Sequence, residues 1–208
     1  MTMLRKNPQM ARGNAMSTSP FRHLPNLITV LRILLVVPLC WLIGAHRYDV
    51  ALLVATIAAA SDAVDGFLAK RFGWQSWIGG MLDPIADKLL LTAAFVWLAL
   101  TADLPAWLVA LVVGRDLAIV AGAVAYHNLI GRFDAAPSGL SKLTTAVQLG
   151  FVLSELLRLS HWIDTPGAVR ATLIAITALV TLASGLHYIV VWGARARRTL
   201  AARKGNRT

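Results

Sequence analysis

An all-helical protein that crosses the membrane six times is the fold class this sequence predicts, and three observations predict it. Hydrophobic residues make up 57% of the 208 positions and charged residues only 14%, whereas a soluble domain carries roughly 25% charged residues to cover its surface. Apolar runs of about 20 residues, the length that spans a hydrocarbon core, recur along the chain. The positive charges collect on one side of those runs. A mean hydropathy of +0.65 and seven Trp exclude a disordered chain and an ordinary soluble globule. A net charge of +10 would suit a nucleic-acid binder, but the apolar bulk does not, so no nucleic-acid partner is expected. The single Cys40 permits no internal disulfide and suggests no thiolate metal site.

The first span reads Leu24 to Ala45, broken by Asn26, Thr29, Arg32 and Pro38. Val50 to about Ala69 is the second and ends acidic; Leu82 to Leu100 is the third and begins acidic. Trp107 to Tyr126 is the fourth, interrupted by Arg115 and Asp116; Leu143 to Leu159 is a shorter fifth, and Ala171 to Trp192 is the sixth. Breakers fall between them, at His46 to Asp49, Thr101 to Pro105, Ala136 to Gly139 and Asp164 to Gly167. The second and third spans are joined by a short loop expected over Arg71 to Gly80. Trp74, Trp77, Trp107, Trp162 and Trp192 lie near span ends, where indoles anchor at the interface. His127, His161 and His187 have no metal-ligand spacing and are expected to cap or line helices.

Residues 1–23 form a basic segment with Arg5, Lys6, Arg12 and Arg22 and no acid. It is read as cytoplasmic or juxtamembrane, too polar for a secretory signal. Residues 24–195 hold the six helices, and 196–208 form a basic cytoplasmic tail. Lys70, Arg71, Arg132, Lys142 and the cations from Arg195 to Arg207 share the N-terminal segment's side, against Arg47, Arg158 and Arg170 on the other. This bias places both termini in the cytoplasm.

The chain has nine Asp and one Glu, and four of these ten acids fall between positions 62 and 87. Each costs several kcal/mol near hydrocarbon unless it is partnered, on the order of 3 kcal/mol on insertion scales. Asp62 and Asp65 share one helical face, as do Asp83 and Asp87 on the next helix. Both pairs lie at cytoplasmic span ends, so two neighbouring helices can present four carboxylates to one point. Such a cluster needs cations, and hard divalent ions with oxygen ligands supply them. No His or Cys accompanies the cluster, which argues against zinc. Gly66, Ala69, Gly79 and Gly80 leave room beside it, by close approach of a ligand or by ordinary helix packing. The plainer reading makes Asp83-Pro84 a helix N-cap and Asp62 and Asp65 pore or salt-bridge residues.

The run Asp62-x-x-Asp65-Gly66-x-x-Ala69-Lys70, then Gly79-x-x-x-Asp83-x-x-x-Asp87, resembles the signature of the CDP-alcohol phosphatidyltransferases. The opening Pro25-Asn26-Leu27-Ile28-Thr29 with Arg32 is similar to that family's first helix. Lys70 stands where the family usually has Arg, which keeps the charge but loses bidentate phosphate geometry; Arg71 is adjacent. The resemblance implies that Asp62, Asp65, Asp83 and Asp87 hold two divalent ions, Mg²⁺ or Mn²⁺, with Asp87 also the general base. It implies Lys70 against the diphosphate of CDP-diacylglycerol, Gly66 beside the cytidine nucleotide, and Asn26, Thr29 and Ser76 lining the nucleotide site. It also implies a homodimer, with membrane lipids around it and the active site on the cytoplasmic side.

Family members differ in the acceptor. Leu82 to Lys88 resembles both phosphatidylglycerophosphate synthases and CMP-forming cardiolipin synthases, while Gly114-Arg115-Asp116 and Pro137 to Gln148 look closer to the latter. Phosphatidylglycerol is therefore the expected acceptor, giving cardiolipin, and glycerol 3-phosphate the alternative. Arg115 and Lys142 are cations on the side of the carboxylates, suited to an acceptor phosphate. Structural pairing of Arg115 with Asp116 is the other reading. A transporter or channel would use the carboxylates as an ion pathway, but these acids cluster at one face instead of running through the bilayer.

Overall fold

The computed structural model describes residues 24–72, 77–101, 104–130 and 139–205, with side chains described over 28–62, 64, 86–101, 104–122, 139–191 and 193–194. These residues form six helices: α1 (Leu24–Gly44), α2 (Tyr48–Phe72), α3 (Trp77–Thr101), α4 (Ala106–Ile130), α5 (Gly139–Leu159) and α6 (Gly167–Gly205). No strand occurs among the described residues. Three expected boundaries move. The helices take in Arg71, Phe72 and Trp77 to Gly80, so the α2–α3 connection shrinks to 73–76. Asp83-Pro84 lies inside α3, which begins at Trp77, so the pair is not its N-cap. The basic tail continues α6 as helix to Gly205. Residues 1–23 lie outside the described residues.

The turn after α1 is a tight reversal. His46 takes a left-handed backbone (φ 57°), its N–H donates to the Ile43 carbonyl, and that of Arg47 donates to Leu42. This pattern satisfies carbonyls at a helix end. His161 does the same after α5 (φ 58°), so that residue caps a helix as its lack of metal-ligand spacing implied.

Cross-helix pairs fix the direction of each element. Arg32 meets Asp87 and Gly44 faces Trp97, so α1 and α3 run parallel. Arg115 meets Ser184 and Ile119 meets Tyr188, so α4 and α6 also run parallel. Glu155 with Arg170 and Gln148 with Thr181 make α5 and α6 antiparallel. These three relations are the ones that helices alternating up and down would have.

The core is apolar where α1, α2, α3 and α5 meet. Ala51, Ala55 and Ala58 are buried along one face of α2, small enough for neighbouring backbones to approach closely. Leu39 and Ile43 of α1, and Phe95 and Leu98 of α3, are buried with them. Phe95 stacks on Phe151 of α5, ring centroids 5.8 Å apart. The outward faces are apolar too: Leu34, Val37 and Trp41 of α1, and Leu179, Leu186 and Val190 of α6, are exposed. Gly167–Val191 is the helical stretch among the described residues long and apolar enough to cross a membrane, and Ile28–Gly44 is a shorter apolar one. Charges interrupt the other helices, and those charges build the site.

Candidate active site

An arginine inside the apolar run of α1 must find a partner, because an isolated guanidinium is costly there. Arg32 finds two. Its Nη1 lies 2.7 Å from Asp62 Oδ1 on α2 and 2.5 Å from Asp87 Oδ1 on α3. The side chain of Arg32 is 3% exposed, and the carboxylates are 43% and 31% exposed. The guanidinium is thus buried beneath two acids whose outer edges remain open. Two carboxylates from different helices, 25 residues apart in sequence, converge on one nitrogen. The spacing predicts four acids at this point, two are described there, and the salt bridge of Asp62 is also what the plainer reading of that residue expects.

A pocket of about 50 Å³ opens beside them. Arg32, Asp62, Asp87 and Thr145 supply its polar lining, and Ala58, Ala59, Leu90, Leu91 and Leu149 its apolar lining. Because α2 runs toward the carboxylates and α3 and α5 run away from them, these apolar residues extend one turn beyond the acids. Carboxylates at the mouth and hydrocarbon behind suit a polar group carried on an apolar body. Thr29 is fully buried on α1, one turn before Arg32. Lys142 is exposed on the first turns of α5, one turn before Thr145 and on the same face.

Arg115 lies elsewhere. It is 3% exposed in its side chain and fully engaged: Nη1 donates to Asp116 (2.6 Å), Nη2 to Ser141 (2.8 Å) and to Ser184 (2.6 Å). The pairing reading of Arg115 is the one the geometry supports, and Arg115 does not line the carboxylate pocket. Asp116 also accepts from Lys88 at 2.6 Å, so one carboxylate ties α3 to α4. The network continues with Gln148 donating to Thr181 at 3.1 Å. It makes the α4–α5–α6 seam polar and satisfied, which a buried network must be.

Asn26, Asp65, Gly66, Lys70 and Asp83 lie on α1, α2 and α3, but their side chains, and all of Ser76, lie outside the described residues. Among the described residues, no group of three metal-ligating side chains forms. The donor set that is described fits a hard divalent cation all the same. Asp62 and Asp87 offer oxygen only and already share one positive charge. Arg32, Lys88 and Thr145 were not expected as site residues. A lone Arg in an apolar run was the available signal for the first. Thr145 carried none, since a threonine in a helix is ordinary.

A family model for the CDP-alcohol phosphatidyltransferases matches residues 22–194. A CDP-diacylglycerol–glycerol-3-phosphate 3-phosphatidyltransferase 1, chloroplastic, of Oryza sativa is 32% identical over 185 residues, covering 81% of this chain and 56% of the rice protein. The chain thus spans little more than half of that relative's length. A protein of Mycobacterium tuberculosis named probable phosphatidylglycerophosphate synthase is 30% identical over 187 residues, 87% of each chain. A cardiolipin synthase (CMP-forming) / mitochondrial hydrolase fusion protein of Schizosaccharomyces pombe is 30% identical over 182 residues, 80% of this chain and 30% of that protein.

Proposed function

The chain belongs to the CDP-alcohol phosphatidyltransferase family, and from that premise we propose that it transfers a phosphatidyl group from CDP-diacylglycerol to phosphatidylglycerol, releasing CMP and forming cardiolipin. The observation that carries the transfer reading is the meeting of Asp62 and Asp87 on Arg32 at the mouth of an apolar-backed pocket. The six helices would cross the membrane six times, a reading supported by their directions and by their apolar outward faces. The charge bias supports cytoplasmic termini.

Asp62, Asp65, Asp83 and Asp87 would hold divalent metal, Mg²⁺ or Mn²⁺. Bound there, it would neutralise the diphosphate and polarise its oxygens. The remaining work falls to the chain. Lys70, the cation within the motif, would hold the diphosphate as a point charge; Asn26, Gly66 and Ser76 would line the nucleotide, and Thr29, fully buried on α1, would not. Asp87, 31% exposed at the pocket, would take the proton of the acceptor hydroxyl. The acceptor oxygen attacks the phosphorus that bears diacylglycerol, the bond from that phosphorus to the CMP oxygen breaks, and CMP leaves with the electron pair. Arg32 stays beneath the two acids and holds them together against their mutual repulsion.

The acceptor reading rests on charge. Among the described cations near the site, Arg32 is committed to Asp62 and Asp87, and Lys88 and Arg115 to Asp116. Lys142 is left to meet an acceptor phosphate, which suits the single charge of a lipid diester better than a soluble dianion. Glycerol 3-phosphate is the second reading, favoured by the names of the rice and M. tuberculosis relatives. CMP release with each acceptor supplied alone, lipid products resolved by mass, tests both.

A further inference from the structure

Among the described residues that line the carboxylate pocket, one polar side chain is uncharged, that of Thr145. We propose that Thr145 recognises the secondary hydroxyl of the acceptor's glycerol unit, and so makes this site selective for glycerol-type alcohols. The inference rests on the transfer reading above.

Thr145 lines the same pocket as Asp62 and Asp87 but comes from a third helix, α5. Its hydroxyl donates to the Ser141 carbonyl, 3.2 Å away and one turn back. With its hydrogen directed into its own helix, the oxygen presents lone pairs outward and can accept a hydrogen bond from a ligand. The other polar lining groups, Arg32, Asp62 and Asp87, are bound to one another, and the rest of the lining is Ala and Leu.

Size fixes what can enter. About 50 Å³ accommodates a few water-sized groups, room for the end of a polyol with the rest of the headgroup in the open mouth. Both candidate acceptors end in a primary hydroxyl with a secondary hydroxyl on the next carbon. With the primary oxygen at Asp87, the secondary one must enter a pocket of Ala and Leu, where an unpaired hydroxyl is unfavourable. Thr145 offers the acceptor it needs. Lys142, one turn earlier on the same face, would then hold the phosphate one carbon further along.

The test compares each acceptor with its 2-deoxy counterpart: phosphatidylglycerol with phosphatidyl-1,3-propanediol, and glycerol 3-phosphate with 3-hydroxypropyl phosphate. CMP release is measured for wild type, Thr145→Val and Thr145→Ser. The expected wild-type preference in kcat/KM for the hydroxylated acceptor is on the order of ten-fold. Thr145→Val should bring it near one while KM for CDP-diacylglycerol stays constant, and Thr145→Ser should keep it. A merely structural threonine would lower both acceptors alike. A wild-type ratio near one, or a wild-type ratio retained in Thr145→Val, overturns the role of Thr145 and leaves the transferase standing. No CMP release from wild type with either glycerol acceptor overturns this inference together with the reading beneath it.

Discussion

Lys88 Nζ lies 2.6 Å from Asp116 Oδ1, and the preceding residue, Asp87, meets Arg32 beside Asp62, so this tie to α4 adjoins the carboxylate pair and is placed to help position it. Asp116 is 16% exposed and accepts from Arg115 as well, so α3 and α4 are joined through one carboxylate. Its removal would leave two cations facing each other in a poorly solvated seam.

Asp116→Asn is therefore expected to destabilise the protein by about 1–3 kcal/mol and to lower turnover with both acceptors. The thermal midpoint in detergent and CMP release, measured on one preparation, check this. A stable variant with full turnover would remove the positioning role of the Lys88 contact.

Arg32 gives a prediction that needs no turnover. Without divalent metal it is the described cation that balances Asp62 and Asp87. Arg32→Gln should lower the thermal midpoint in chelator by the equivalent of about 1–3 kcal/mol, discounted for the partial exposure of both acids. Added Mg²⁺ or Mn²⁺ should restore more stability to the variant than to wild type. Equal metal stabilisation of the two proteins would contradict it.

Lys70→Arg is expected to be tolerated, since either residue supplies the charge. Lys70→Ala should raise KM for CDP-diacylglycerol by the equivalent of about 2–5 kcal/mol, the cost of truncating one partner of a charge pair formed with the bound diphosphate. An unchanged KM in Lys70→Ala would move the diphosphate to Arg71.

Lys142→Ala should raise the requirement for acceptor more than that for donor, because the residue lies on the α5 face that lines the pocket. The ratio of the two KM changes is the measurement, and an equal change in both would separate Lys142 from the acceptor.

The helices were legible because each apolar run is long enough to be read from composition alone. The pairing of Asp62 with Asp87 was legible too, since spacings of three and four place acids on one face at adjoining span ends. Which cation they meet was not legible, because Arg32 lies 30 residues before Asp62 and only packing brings α1 beneath both. Arg115 shows the reverse case. Its sequence neighbours admitted both an acceptor site and a structural pair, and the choice depended on Ser141 and Ser184, residues from two later helices. Thr145 is ordinary in sequence and acquires meaning only from the acids of α2 and α3 that share its pocket. Asp83-Pro84 misled locally, because an Asp-Pro pair resembles a helix start wherever it falls, and here α3 had begun at Trp77.

Transfer of a phosphatidyl group onto a glycerol-type lipid can be measured directly. Purified protein, CDP-diacylglycerol and Mg²⁺ are combined with phosphatidylglycerol or with glycerol 3-phosphate, with Asp62→Asn and excess chelator as controls. Stoichiometric CMP and cardiolipin from phosphatidylglycerol, absent in both controls, is the result predicted. Turnover with glycerol 3-phosphate and none with phosphatidylglycerol would contradict the acceptor, and CMP release undiminished in chelator or in Asp62→Asn would contradict the carboxylate site itself.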